Sequence, residues 1–222
     1  MISSAARKVP TPRGLTGGAA VLGWFALAVQ LYLILVARWQ DQASLLGGLV
    51  NFFGFFTVLS NVLVATVLSQ AAFGRESPAR RFWLKPWVAG GVLASILFVA
   101  IAYSLLLRHL WQPQGWQWLA DGLLHDVMPA LFAGYWWLQV EKGSLRLRHL
   151  LAWSLYPLGY FGYALLRGEW VGFYPYPFID VAALGYARVL GNALLMLLAF
   201  LLLGLAIIGL DRWQGRRAVR RP

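Results

Sequence analysis

Residues 117–139 read QWLADGLLHDVMPALFAGYWWLQ. The stretch is long and apolar enough to cross the hydrocarbon core of a membrane, which takes about 20 residues of helix. It nevertheless carries Asp121, His125 and Asp126. A charged group at membrane depth costs roughly 2.5–3.5 kcal/mol on insertion scales, so such residues mark functional sites by default. A neutral imidazole costs less, and His125 is the only histidine placed well inside an apolar segment.

Working outward, five further apolar segments read as helices, at roughly 18–38, 46–70, 86–107, 147–166 and 186–210. Each approaches the ~20 residues needed to span. With 60% hydrophobic and 12% charged residues, and no Cys, the 222-residue chain has no room for a separate soluble domain. Its mean hydropathy of +0.64 excludes an ordinary soluble fold. The expected fold is all-α: a polytopic membrane protein built as one six-transmembrane-helix bundle over 1–222, with short basic tails at 1–17 and 211–222.

The net charge of +11 is a topology signal rather than a nucleic-acid one, because it alternates by side. Arg7, Lys8 and Arg13 precede the first segment; Arg75, Arg80, Arg81 and Lys85 fill the second connection. Lys142, Arg146 and Arg148 fill the fourth, and Arg212, Arg216, Arg217, Arg220 and Arg221 the tail. Only Arg38, Arg108, Arg167 and Arg188 are left for the other side. The positive-inside rule then predicts both termini in the cytoplasm of a bacterial inner membrane, with anionic lipids as partners and no nucleic acid or protein partner. The exit Arg38-Trp39-Gln40-Asp41 does not resemble a cleavage site, so the first segment reads as a span and not a signal peptide. No repeat relates the halves, which argues against an inverted-repeat transporter. Gly91 and Ser95, four apart, suit close helix approach. The run Gly172-Phe173-Tyr174-Pro175-Tyr176-Pro177-Phe178 cannot be a regular helix and reads as an interfacial aromatic anchor or a lid.

Thr57 and Asn61 are four apart and share a helix face. Thr57 lies roughly 16 Å and His125 roughly 12 Å below the outer surface at about 1.5 Å per residue, so the two should be level. Asp121 is one turn nearer the surface on the face of His125, and Pro129 is expected to free the His125 carbonyl. A threonine hydroxyl becomes a nucleophile when an imidazole takes its proton. Asn61 would orient it or hold an oxyanion, and Asp121 would fix the His125 tautomer. The plainer alternatives are a threonine bonded to the carbonyl of Phe53 and an interhelical histidine hydrogen bond. Tyr156, Tyr160 and Tyr163 form one hydroxyl-bearing stripe that would line a substrate cavity or simply pack. Arg188, with Asn192 one turn deeper, would bind an acidic headgroup or carboxylate, snorkel, or pair with Asp180.

The motifs Phe55-Phe56-Thr57-Val58-Leu59-Ser60-Asn61, His125-Asp126-Val127-Met128-Pro129 and Gly172-Phe173-Tyr174-Pro175-Tyr176-Pro177-Phe178-Ile179-Asp180 resemble a prokaryotic family of six-helix membrane proteins. The layout is distantly similar to the androgen-induced and androgen-dependent TFPI-regulating hydrolases. Those cleave fatty acid esters of hydroxy fatty acids with an intramembrane threonine and histidine. The resemblance implies Thr57 as nucleophile, His125 as base and a fatty acyl ester as substrate; the Tyr-Pro-Tyr-Pro-Phe loop and the Ser60-Asn61 pair are features of the prokaryotic group alone.

Three other functions compete with the hydrolase. A small transporter or channel would use His125, Asp121, Asp126 and the tyrosines as a path. A haem carrier needs two histidines at one depth, whereas His109 and His149 belong to opposite edges. A scaffold would use none of these groups. One histidine with Asp121 or Asp126 gives too few ligands for a metal, so neither metal nor cofactor is expected.

Overall fold

The bend between two short runs, Leu45–Phe52 and Phe56–Ala72, shapes the middle of the protein. The structure is a computed structural model describing residues 13–219. Among the described residues it is all-helical, without a strand. Helix α1 is Arg13–Gln40, α2 Leu45–Phe52 and α3 Phe56–Ala72; a short α4, Pro78–Trp83, leads into α5, Pro86–Ala102, which ends in a π-turn over Tyr103–Leu107. Helix α6, Gly115–Gly122, passes through a second π-turn, Leu123–Val127, into α7, Met128–Gln139. Helix α8 is Arg148–Val171, and a 3₁₀ turn at Pro177–Ile179 precedes α9, Val181–Val219.

Three helices are long and apolar enough to cross a membrane: Arg13–Gln40, Pro86–Leu107 and Val181–Arg217. The α2–α3 pair, bent by 72°, makes a fourth if counted as one span. Three to four candidate spans thus mark a membrane protein. The predicted segments 117–139 and 147–166 coincide with α6–α7 and α8, but the first is divided by the π-turn at His125, and α8 carries Arg148, Pro157 and Arg167.

The sequence reading needs two corrections. The predicted helix 46–70 is two helices, because the chain leaves helical geometry at Phe53–Phe55, with Phe55 extended (φ −94°, ψ 129°). Helix α9 is interrupted at Gly185, whose φ of +73° favours glycine, and the predicted segment 186–210 starts just past that break. Parts of the expected tails are helix, since α1 begins at Arg13 and α9 continues to Val219. Arg7, Lys8, Arg220 and Arg221 lie outside the described residues.

The core centres on α3 and α5, where Ser60, Asn61, Ala89, Ala94 and Ile96 are fully buried. Gly90 and Gly91 admit the Trp153 ring of α8, where a Cβ would stand 2.9 and 2.6 Å from ring atoms. The Trp153 indole donates to the Trp87 carbonyl at 2.8 Å. At one end of the bundle Gln139 donates to Thr16 (2.8 Å), Gly17 meets Phe73, and the Leu145 N–H donates to Asp211 (2.9 Å). This end therefore gathers the described basic residues of the α3–α5 and α7–α8 connections and of the end of α9.

Candidate active site

Thr57 owes its setting to the break before it. A Cβ on Gly54 would stand 2.9 Å from the Asn51 carbonyl oxygen and 3.0 Å from the Arg167 guanidinium carbon. Glycine allows that approach, and α3 restarts at Phe56, making Thr57 its second residue. The first N–H groups of a helix have no intrahelical acceptor and carry partial positive charge. The Thr57 N–H is one of them; it donates to the Tyr176 hydroxyl at 3.3 Å.

His125 sits in the π-turn of α6–α7, a local irregularity often found at functional sites. Its Nε2 is 3.3 Å from Thr57 Oγ1. Its Nδ1 faces the Asp121 carbonyl oxygen at 3.0 Å and Asp121 Oδ1 at 3.3 Å. Two acceptors at Nδ1 assign the proton there, leaving Nε2 to accept from the threonine hydroxyl. The Tyr103 ring stacks on the imidazole with centroids 3.8 Å apart and planes at 14°. The Tyr103 hydroxyl donates to Asp121 Oδ2 at 2.5 Å, so both oxygens of this buried carboxylate are engaged.

Asn61 departs from its expected place at the threonine hydroxyl. Its Nδ2 donates to the carbonyl oxygens of Thr57 (2.9 Å) and Leu124 (3.1 Å), bracing α3 against the π-turn. Its Oδ1 is buried without a partner. The π-turn frees a carbonyl that the sequence does not indicate. In the π register the Met128 N–H bonds to the Leu123 carbonyl. The next donor in that register would be Pro129, which has none, so the Leu124 carbonyl is left open as well. Asn61 fills that gap.

The tyrosine stripe divides. Tyr160 donates to the Gly54 carbonyl (2.9 Å) and lines a cavity, Tyr156 bonds Ser60 (3.2 Å), and Tyr163 is exposed. Arg188 is exposed and lines neither cavity. Asp180 accepts from the Ala183 N–H instead of pairing with it. Asn192 donates to the Phe178 carbonyl (2.9 Å), tying down the 172–180 connection.

Sequence reasoning missed Tyr176, Tyr103 and Arg167. Tyr176 had been read only as part of an anchor or lid, yet its hydroxyl lies 3.5 Å from Thr57 Oγ1. Burial pushes this phenol up, so it stays protonated and able to donate. Arg167 is only 4% exposed; it donates to the Phe173 carbonyl and to Asn51 Oδ1, and stands over the Phe173 ring. It thereby clamps the strap carrying Tyr176 to the break preceding Thr57. The available signal was Arg167 itself, one of four cations on the charge-poor side and close in sequence to an aromatic–proline run.

Two cavities meet at Thr57. One, of about 100 Å³, lies among α5, α8 and α9 and is lined by Phe98, Leu158, Phe161, Met196 and Phe200. The other, of about 230 Å³, is the more polar of the two: Gln30, Trp111, Gln117, Asp121 and His125 line it beside an otherwise apolar wall that includes Phe55, Val58 and Leu110. Thr57, Tyr103, Leu107 and Tyr176 border both. No group of three or more His, Cys, Asp or Glu among the described residues is arranged to hold a metal. Comparison of the chain with protein-family models, curated proteins and solved structures gave no match.

Proposed function

We propose that this protein is an intramembrane hydrolase of fatty acyl esters, with Thr57 as nucleophile and His125 as general base. The observation that carries the reading is the Thr57 Oγ1–His125 Nε2 contact of 3.3 Å, backed by Asp121 on Nδ1 and lying where an apolar and a polar cavity meet. A hydroxyl needs such a base to attack a carbonyl carbon, and the dry, apolar cavity suits an acyl chain. The resemblance to the six-helix family and its threonine and histidine agrees with this reading.

In the first half-reaction Thr57 Oγ1 bonds to the ester carbonyl carbon and its proton passes to His125 Nε2. The carbonyl π electrons move onto oxygen. The Tyr176 hydroxyl and the N–H groups opening α3 are the donors nearest that oxyanion. Collapse breaks the bond to the alkoxy oxygen, which takes the proton from His125 and leaves as the alcohol. Water then attacks the acyl-threonine, gives a proton to His125, and collapse returns that proton to Thr57 as the fatty acid departs. Asp121 balances the imidazolium formed in each half.

The finer topology belongs to the same reading: six spans, with both termini in the cytoplasm of a bacterial inner membrane. The gathering of basic residues at one end of the bundle supports it. The active centre then opens toward the outer leaflet. Treatment of purified protein with a fluorophosphonate probe tests the nucleophile. Labelling should vanish in Thr57→Ala and His125→Ala and survive in Thr57→Ser. Equal labelling of wild type and Thr57→Ala would remove Thr57 from the mechanism.

A further inference from the structure

The two cavities at Thr57 differ in chemistry, and His125 borders only one of them. From this we infer that the substrate is an acyl ester of a compact, neutral, hydroxylated alcohol of the glycerol class. Its alcohol would be held by Gln30 and Gln117. The inference rests on the hydrolase reading and specifies its substrate.

An ester at Thr57 must send its acyl chain one way and its alkoxy group the other. The group that protonates the departing alkoxide has to stand on the alkoxide's side. His125 lines the polar cavity and not the apolar one, so the alcohol faces α1 and α6 while the acyl chain enters between α5, α8 and α9. Polarity gives the same direction independently. Leu158 is 47% exposed on the outside of α8, so the apolar cavity reaches the lipid-facing surface, where a longer tail can continue into the bilayer.

The walls of the polar cavity then define the alcohol. Gln117 Nε2 donates to Gln30 Oε1 at 2.8 Å across α1 and α6. That leaves the Gln30 amide N–H groups and Gln117 Oε1 to serve hydroxyls, and the Trp111 indole stands near them. No lysine or arginine lines the cavity; Arg108 is bonded to Asp126. The ionisable acid present is Asp121, whose oxygens are occupied by Tyr103 and His125. A phosphate or carboxylate in the alcohol would face that acid, and Arg108, which stands over the Tyr103 ring, is already paired with Asp126. A long apolar alcohol would bury the amides unpaired. The cavity of about 230 Å³ has room for a six-heavy-atom glycerol unit.

Four esters of one fatty acid test this with the purified full chain: a monoacylglycerol, a methyl ester, a lysophosphatidylglycerol and an ester of a hydroxy fatty acid. The monoacylglycerol should have the highest kcat/KM. In the Gln30→Leu, Gln117→Leu double variant the ratio of monoacylglycerol to methyl-ester kcat/KM should fall about tenfold or more, the size of one to two lost hydrogen bonds. A purely structural glutamine pair would lower all four rates in parallel and leave the ratio unchanged, which overturns the inference. Preference for the lysophospholipid or the hydroxy-fatty-acid ester overturns it as well, while leaving the hydrolase intact. No ester hydrolysis by folded wild type, or equal hydrolysis by Thr57→Ala, defeats the hydrolase reading and this inference together.

Discussion

Replacing Asp121 with asparagine separates two jobs that a carboxylate behind a catalytic histidine can do. Where a carboxylate alone sets the tautomer, its amide substitution costs about 10⁴-fold in rate. Here the Asp121 main-chain oxygen lies 3.0 Å from His125 Nδ1, closer than the side-chain Oδ1 at 3.3 Å. The backbone acceptor survives the substitution, so the tautomer should survive too. What is lost is the attraction between the carboxylate and the imidazolium. For unit charges about 4 Å apart at an effective dielectric near 20 that is ~4 kcal/mol. At about 1.4 kcal/mol per decade this is an upper limit of about three decades. The rate constant for fluorophosphonate labelling of Thr57 should therefore fall about 10²–10³-fold in Asp121→Asn, with His125→Ala lower still. A variant that labels like wild type would show that no imidazolium forms beside Asp121. One as inert as Thr57→Ala would show that the side chain, not the main chain, holds the ring.

Four other outcomes follow from the same geometry. Tyr176→Phe keeps the ring and removes the hydroxyl that meets both Thr57 N–H and Oγ1; loss of one oxyanion donor should lower kcat about 10²-fold, measured with the best ester substrate. Asn61→Leu leaves the Leu124 carbonyl buried without a donor and should cost ~1–3 kcal/mol, read from unfolding in detergent. Gly54→Ala forces a methyl against Asn51 and Arg167, costing ~1–3 kcal/mol and displacing the start of α3; thermal unfolding and probe labelling should both report it.

The remaining outcome concerns Lys142, in the α7–α8 connection, where burial pushes the ammonium down to about 8 against the pull of Asp211. The unfolded chain then binds the extra proton between pH 8 and about 10.5, so stability rises with pH across that window. Lys142→Met should flatten that rise in a series of Tm measurements. An unchanged slope would mean that the Trp136 and Val140 carbonyls, which accept from its ammonium, keep it charged.

The level placement of Thr57 and His125 was readable because helix rise converts residue number into depth. So were the helical segments themselves, since an apolar run of that length leaves few alternatives. The role of Asn61 was not readable, because it depends on the π-turn that opens the Leu124 carbonyl. Arg188 was singled out to bind an acidic group, yet it is exposed and Arg167 is the buried cation, since only packing decides which face of a helix meets its neighbours.

The sequence by itself determined an all-helical membrane protein and brought a threonine and a histidine to one depth. Hydrophobic length and charge asymmetry are properties of composition along the chain. Tertiary structure alone decided that α2–α3 breaks beside Thr57, that a distant strap delivers Tyr176, and that an apolar and a polar cavity meet there. Those depend on close approaches between residues more than 100 positions apart, such as Gly54 to Arg167 and Thr57 to Tyr176. No periodicity along the chain encodes them.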